Sequence, residues 1–162
     1  MAHYTKAYMN TRDIDWFGIV NGRYIHVASC GGILPSELND ESYLRDLQYE
    51  VAMLDDIHNE TGSQIAISHN DQYLQQRFST YEKRSEAIES YKMSFDSFAR
   101  KGFWSFDKEN INDPDDSHYR LISWPNDNVQ PQINSPIRYN KKTDILDFDN
   151  PEAIKSVELL HL

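Results

Sequence analysis

His26 and Cys30 are the residues whose types and spacing first suggest chemistry. They stand four positions apart in the stretch DIDWFGIVNGRYIHVASCGGILP, which runs from Asp13 to Pro35. A cysteine becomes a nucleophile when a neighbouring histidine or a helix N-terminus lowers the pKa of its thiol. A thiol hydrolase with Cys30 as nucleophile is therefore one hypothesis. The alternative is that Cys30 is a small buried side chain, which is the commoner role of a lone cysteine.

Ser105 joins His26 in a second hypothesis. The segment YIH at 24–26 precedes two predicted helices, and KGFWS at 101–105 enters a later predicted strand. This arrangement resembles the ADP-ribosyltransferases, in which an early His or Arg and a later aromatic-serine strand hold the nicotinamide dinucleotide. The resemblance implies that His26 and Ser105 bind NAD in a nucleotide-using transferase. The family's third-motif glutamate has no evident counterpart, since Glu152 and Glu158 fall in a predicted helix.

Other cofactor motifs are missing from the sequence. The six histidines show no HxH or HxxxH spacing, and one cysteine excludes a multi-cysteine zinc site. Gly31-Gly32 lacks the Gly-Lys-Ser/Thr of a phosphate loop. The acidic segment 107–116 is rich in oxygen ligands but lacks EF-hand spacing, so weak calcium binding there stays an open alternative. The sequence predicts no metal site and no bound cofactor.

The charge of the chain favours a protein partner over nucleic acid. The formal net charge is -10, whereas binding to phosphates needs clustered Lys and Arg. Eight acids and one base lie in 36–60, and five acids and one base lie in 107–116. Acidic surfaces steer basic partners and add specificity. We therefore expect an acidic protein-binding or regulatory module without catalysis of its own, with small-enzyme activity near His26 as the alternative.

Length and composition predict one cytoplasmic domain over residues 1–162. Aromatic residues make up 12% of the chain, which argues against wholesale disorder. No apolar run reaches the roughly 20 residues of a membrane span, and the first residues lack the apolar region of a signal peptide. With a single cysteine and hence no internal disulfide, a reducing intracellular location is expected.

The elements that must position these residues start with a hairpin over 14–20 and 23–29. Asn21-Gly22 between two strand-like runs predicts a type I′ turn. That turn sets Phe17 opposite His26 and Trp16 opposite Val27. Because side chains alternate in a strand, one face carries Trp16 and Val27, and the other carries Asp15, Phe17 and His26. Both faces are largely apolar, so we expect other elements to pack on each side.

Two amphipathic helices are predicted to cover this hairpin, over about 37–59 and 80–101. Apolar residues recur at spacings of three and four in both segments. In the second helix the stripe is Tyr81, Ile88, Tyr91, Phe95, Phe98 and Ala99. Ser79 and Glu82 have the spacing of a capping box at its start, and Gly102 stands where a C-terminal capping glycine belongs.

The remaining pattern predicts an α+β fold with a mixed or mainly antiparallel sheet. Segments 103–107 and 118–124 are expected to pair, since a polar connection joins two strand-like runs. Unequal helices between groups of strands favour this class over a doubly wound sheet. Weaker patterns predict an N-terminal arm or strand over 1–12, strands at 64–69, 137–139 and 145–148, a helix over 72–78, and a terminal helix after Asn150.

Overall fold

A mixed β-sheet with helices packed on it forms the frame of the protein, and the predicted α+β class is confirmed. The structure is a computed structural model that describes residues 2–57, 63–64, 75–127 and 129–162. Its helices are α1 (Lys6–Asn10), α2 (Glu41–Ala52) and α3 (Arg84–Arg100), and its strands are β1 (Asp15–Val20), β2 (Arg23–Ala28), β3 (Ser63–Gln64), β4 (Trp104–Lys108), β5 (His118–Pro125), β6 (Asn140–Lys141) and β7 (Ser156–Glu158).

The β1–β2 hairpin has the register that the sequence predicts. Phe17 faces His26 and Trp16 faces Val27. The turn residues Asn21 and Gly22 have φ angles of 51° and 77°, which are the positive values that a type I′ turn requires. The local turn chemistry therefore fixes which side chains share a face with His26.

The order of strands brings the hairpin next to β4. β2 and β4 are parallel neighbours, and their register sets His26 beside Ser105 and Ala28 beside Asp107. β5 pairs antiparallel with β4, as predicted. β6 pairs with the far edge of β1, while β3 and β7 flank opposite ends of β5. His26 consequently lies in the middle of the sheet.

The helix α2 is shorter than the predicted 37–59. Ser36–Leu38 forms a separate 3-10 turn, and Asp40 caps α2 by accepting a hydrogen bond from the Tyr43 amide. At the other end, the Lys101 ammonium donates to the carbonyls of Val51 and Ala52 at 3.0 and 3.3 Å. Lys101 thus satisfies two of the last carbonyls of α2, which ends at Ala52. Residues 58–59 lie outside the described residues.

The helix α3 begins four residues later than predicted. Lys83 occupies the N-cap position and makes no side-chain capping bond, so the predicted Ser79–Glu82 capping box is wrong. Gly102 follows the helix with a φ of 99°, in agreement with the capping prediction. Phe95 and Ala99 are buried, whereas Tyr81 lies outside the helix and is exposed.

The terminal helix predicted after Asn150 is wrong. Residues Pro151–Ala153 form one 3-10 turn, and Ser156–Glu158 forms β7. β7 pairs with the open edge of β5, and the Tyr139 hydroxyl donates to the carbonyl of Leu159. The hydrogen bonds offered by this edge outweigh the helical pattern of the sequence.

The weaker predictions have mixed outcomes. Residues 6–10 are helical, because the Thr5 hydroxyl caps the Tyr8 amide at 3.1 Å. The strand predicted at 137–139 is displaced to Asn140–Lys141, and 145–148 is not a strand but a loop that buries Leu146 and Phe148. Of the strand predicted at 64–69, only Gln64 lies within the described residues, where Ser63–Gln64 is a strand. Of the helix predicted at 72–78, residues 75–77 are helical and Phe78 is in a turn, while 72–74 lie outside the described residues.

The two faces of the sheet bury different sets of side chains. Trp16 packs edge-on against Tyr139, with ring centroids 5.0 Å apart. Gly18 permits this arrangement, since a Cβ there would lie 2.4 Å from the Tyr139 ring. On the opposite face, Phe17 and His26 pack against Phe98 of α3.

Candidate functional site

His26 is buried at the centre of a hydrogen-bonded chain. Only 1% of its surface is exposed. Its Nε2 lies 2.7 Å from Asp15 Oδ1, and its Nδ1 lies 2.6 Å from Ser105 Oγ. Because a carboxylate only accepts hydrogen bonds, Nε2 carries a proton towards Asp15. In the neutral imidazole with that proton on Nε2, Nδ1 accepts the Ser105 hydroxyl proton. The structure thus brings together His26 and Ser105, two of the three predicted site residues.

Aromatic rings fix the plane of the His26 imidazole. The ring stacks on Phe98 with centroids 3.6 Å apart and planes 11° from parallel. Phe17 and Phe95 lie at centroid distances of 5.5 and 5.9 Å. The imidazole is therefore held by its ring faces as well as by both of its nitrogens.

The burial of Ser105 limits the chemistry that the hydrogen-bonded series Asp15–His26–Ser105 can perform. Asp, His and Ser linked in this order can activate a hydroxyl nucleophile when the hydroxyl faces substrate. Ser105 is 0% exposed, and its hydroxyl is directed at His26. The arrangement orients the imidazole and links the three strands β1, β2 and β4, and Asp15 is its exposed member.

A cavity of about 210 Å³ opens beside this chain, between the sheet and α3. Its polar lining includes Asp15, Arg77, Tyr91 and Asp107. Asp107 is 1% exposed and accepts hydrogen bonds from the Arg77 guanidinium and the Tyr91 hydroxyl. Loss of solvation raises the pKa of Asp107 despite the nearby Arg77. The cavity therefore has a buried, fully engaged acid at its base.

Cys30 lies beside Arg77 and makes no described hydrogen bond to His26. Its φ is 45°, its amide donates to Asp13 Oδ1 at 3.0 Å, and its Sγ lies 3.7 Å from Arg77 Nη2. Burial is the largest influence on the thiol and raises its pKa, and Asp107 raises it further. This environment favours the thiol over the reactive thiolate.

Sequence reasoning missed the contact of His26 with Asp15 and the burial of Asp107. Asp15 stands diagonally across the hairpin from His26, on the same face, so the predicted register contained this signal. Asp107 belonged to the segment interpreted as an acidic surface, but it is the last-but-one residue of β4 and faces α3. Asp107 stands two residues after Ser105, and residues two apart in a strand share a face, so the sequence contained a signal for its burial.

Many acids of the two acidic segments are engaged within the protein. In 36–60, Asp40 pairs with Arg138 at 2.9 Å and Glu37 with Lys141 at 3.2 Å. In 107–116, Arg120 binds Glu109 through two nitrogens, at 2.7 and 2.9 Å. Further engaged acids are Glu41, Glu50, Asp56, Asp107, Asp115 and Asp116. The surface is therefore less uniformly acidic than the counts of acidic residues in these two segments indicate.

The outer side of α2 and the turn after it carry exposed acids beside exposed apolar side chains. Tyr49 and Met53, one helical turn apart, are 70% and 67% exposed. Asp46 and Asp55 are also exposed. We refer to Asp46, Tyr49, Met53 and Asp55 as the α2 surface.

Metal binding and membrane spanning find no support in the described part of the chain. No three His, Cys, Asp or Glu side chains converge there in a way that would hold a metal ion. None of the helices in those residues has the length and apolar character needed to traverse a bilayer.

Comparison of the chain with protein-family models, curated proteins and solved structures finds no match. A functional interpretation therefore depends on the geometry and chemistry of the described residues. Those residues include the enclosed hydrogen-bonded series around His26, a cavity beside it and the exposed α2 surface.

Proposed function

We propose that the protein is an intracellular, acidic protein-binding module without catalysis of its own, and that it binds a basic partner through the α2 surface. The observation that supports this most directly is the exposure of Tyr49 and Met53, at 70% and 67%, one helical turn apart at the C-terminal end of α2. Aromatic residues and methionine are enriched in protein interfaces relative to other surfaces. Such side chains provide the anchors that a protein partner would cover.

Charge supports a basic partner. Asp46 and Asp55 flank the two anchors, and both are exposed. The nearest base on the helix, Arg45, is paired with Glu41. Carboxylates around an apolar centre favour a segment that carries Lys or Arg beside its own apolar residues, and they accelerate its association.

The geometry near His26 supports the non-catalytic part of the proposal. The Ser105 hydroxyl is enclosed, and burial raises the pKa of the Cys30 thiol. Neither the Ser105 hydroxyl nor the Cys30 thiol is presented in a reactive form to the cavity.

The proposal predicts that two charge reversals on the α2 surface, D46K/D55K, weaken binding to a basic partner. Affinity capture from native lysate, with a photo-crosslinking residue at position 49, identifies the protein that touches the surface. Binding of that purified protein is then measured by calorimetry at two salt concentrations. We expect D46K/D55K and Y49S/M53S to weaken it at least about tenfold, which corresponds to 1.4 kcal/mol.

Matched controls separate the surface from general charge and hydrophobicity effects. The variant E86K/D144K makes the same charge change at exposed positions elsewhere, and I145S removes an apolar side chain that is 63% exposed. Both are expected to bind like the wild type. Equal losses in the controls, salt-independent binding, or crosslinking only to proteins without a basic segment would contradict the proposal.

A further inference from the structure

A second cavity, of about 370 Å³, lies at the end of the sheet where β5 ends and β4 begins. We refer to it as the Trp104 cavity. Its lining combines an aromatic floor with a charged rim, and it is separate from the His26 chain and from the residues of the α2 surface. Cavities of this size accommodate a small ligand or one long side chain.

Three aromatic side chains line the Trp104 cavity, and we refer to them as its floor. Trp104 and Trp124 are neighbours on adjacent strands, with centroids 6.4 Å apart and planes 15° from parallel. Phe148 packs edge-on against Trp104 at 4.7 Å. Both tryptophans are 4% exposed, so packing holds the floor in place before any ligand arrives. The electron-rich faces and indole surfaces of such rings attract cations.

The rim of the cavity has an excess of negative charge. It contains the carboxylates of Asp127, Asp149 and Glu152 and the guanidinium of Arg23. Arg23 lies 3.6 Å from Asp149, whose side chain is 90% exposed. Three acids against one base leave a formal charge of −2, so an anionic ligand such as a phosphate would be repelled.

We propose that the Trp104 cavity binds an organic cation, a guanidinium or an alkylammonium, above the tryptophans and between the carboxylates. An aromatic floor with an acidic rim recognises both parts of such a group, because the rings cover its apolar stem and the carboxylates pair with its charge. Two sources supply this chemistry: the side chain of Arg or Lys in a partner protein, and a free amine. The proposal does not rest on binding at the α2 surface.

The test is a titration followed by tryptophan fluorescence, since two of the three tryptophans line the cavity. The probes are N-acetyl-arginine amide and agmatine. Their neutral isosteres, N-acetyl-citrulline amide and N-(4-hydroxybutyl)urea, have nearly the same shape without the charge. We expect a saturable response to the charged probes and at least about tenfold weaker binding of the neutral ones. Tighter binding of the peptide-like probe supports a protein side chain, and tighter binding of agmatine supports a free amine.

Rim variants complete the test without disturbing the buried floor. D127N/E152Q removes two charges at exposed positions and is expected to weaken the charged probes at least about tenfold. E86Q/D144N is the matched control, and D46K/D55K is expected to bind the probes like the wild type, which separates this site from the α2 surface. Equal binding of charged and neutral probes, or no saturable response by about 10 mM, would overturn the proposal.

Discussion

At the residue scale, His26 has its position because three strands place polar partners at compatible points. Ser105 lies directly beside it in the parallel β4, and Asp15 lies diagonally across the hairpin. Burying an imidazole in an apolar layer is tolerable because both nitrogens are bonded. Removing one partner is therefore expected to cost more than an ordinary hydrogen bond contributes, because it leaves a buried nitrogen unsatisfied.

Ser105→Ala should lower the free energy of unfolding by about 1–3 kcal/mol, because it leaves the buried Nδ1 of His26 without a donor. Urea denaturation followed by circular dichroism measures the change. Ser94→Ala is the control, since Ser94 is exposed, and a change within about 0.5 kcal/mol is expected for it. Equal effects of the two substitutions would show that the Ser105 hydrogen bond contributes nothing.

Cys30 should react slowly with iodoacetamide in the native protein at pH 7. Its pKa is raised by burial and by Asp107, so the thiolate fraction is below that of the same cysteine in the unfolded chain. Alkylation followed by mass spectrometry in buffer and in urea gives the two rates, each corrected by a model thiol in the same solvent. A native rate equal to or above the unfolded rate would revive the thiol hydrolase hypothesis.

At the element scale, the turn and capping-glycine predictions succeeded because they depend on local sequence, whereas the terminal helix failed because of a distant partner. Asn21-Gly22 determines its own turn, and Gly102 ends α3 through its own backbone conformation. The segment after Asn150 has a helical pattern, yet it forms β7 because β5 offers a free edge. The Phe17–His26 pairing was predictable for the same local reason, whereas Arg77 beside Asp107 was not, since no spacing rule connects them.

Asp40 forms an ion pair with Arg138 that joins the start of α2 to a distant segment, and the stability this pair contributes should depend on pH. The hydrogen bond from Arg138 is the main influence that holds the pKa of Asp40 below its ordinary 3.8. A lowered pKa in the folded state means that the stabilisation is complete above the unfolded pKa and is lost as pH falls through the folded pKa.

Asp40→Asn should therefore lower the urea midpoint at pH 7, and its difference from the wild type should shrink as pH falls below 3.8. Asparagine keeps a capping oxygen, so the substitution isolates the charge. Asp144→Asn, at an exposed position, should leave the midpoint unchanged. A difference from the wild type that stays constant between pH 7 and pH 3 would contradict the ion-pair explanation.

At the scale of the whole molecule, charge counts along the sequence overstate the acidity of the surface. Lys6 pairs with Asp115 and Arg138 pairs with Asp40, although these partners are far apart in the chain. A count over a segment cannot include bases that folding brings from elsewhere. The exposed acids that remain beside apolar side chains, Asp46 and Asp55, are fewer and more localised, and they make the prediction of a binding surface more specific.

The parallel pairing of β2 with β4 also determines the order in which the protein folds. The β1–β2 hairpin joins neighbours through two residues and can form on the microsecond timescale. β4 reaches its place beside β2 only after the long crossover between Ala28 and Trp104 has closed, which costs chain entropy before any contact is gained. The docking of β4, and with it the joining of Ser105 to His26, is thus expected to be the slow step. Until that step, the hairpin presents an unpaired strand edge to other chains, and recovery of native protein should fall as its concentration during refolding rises.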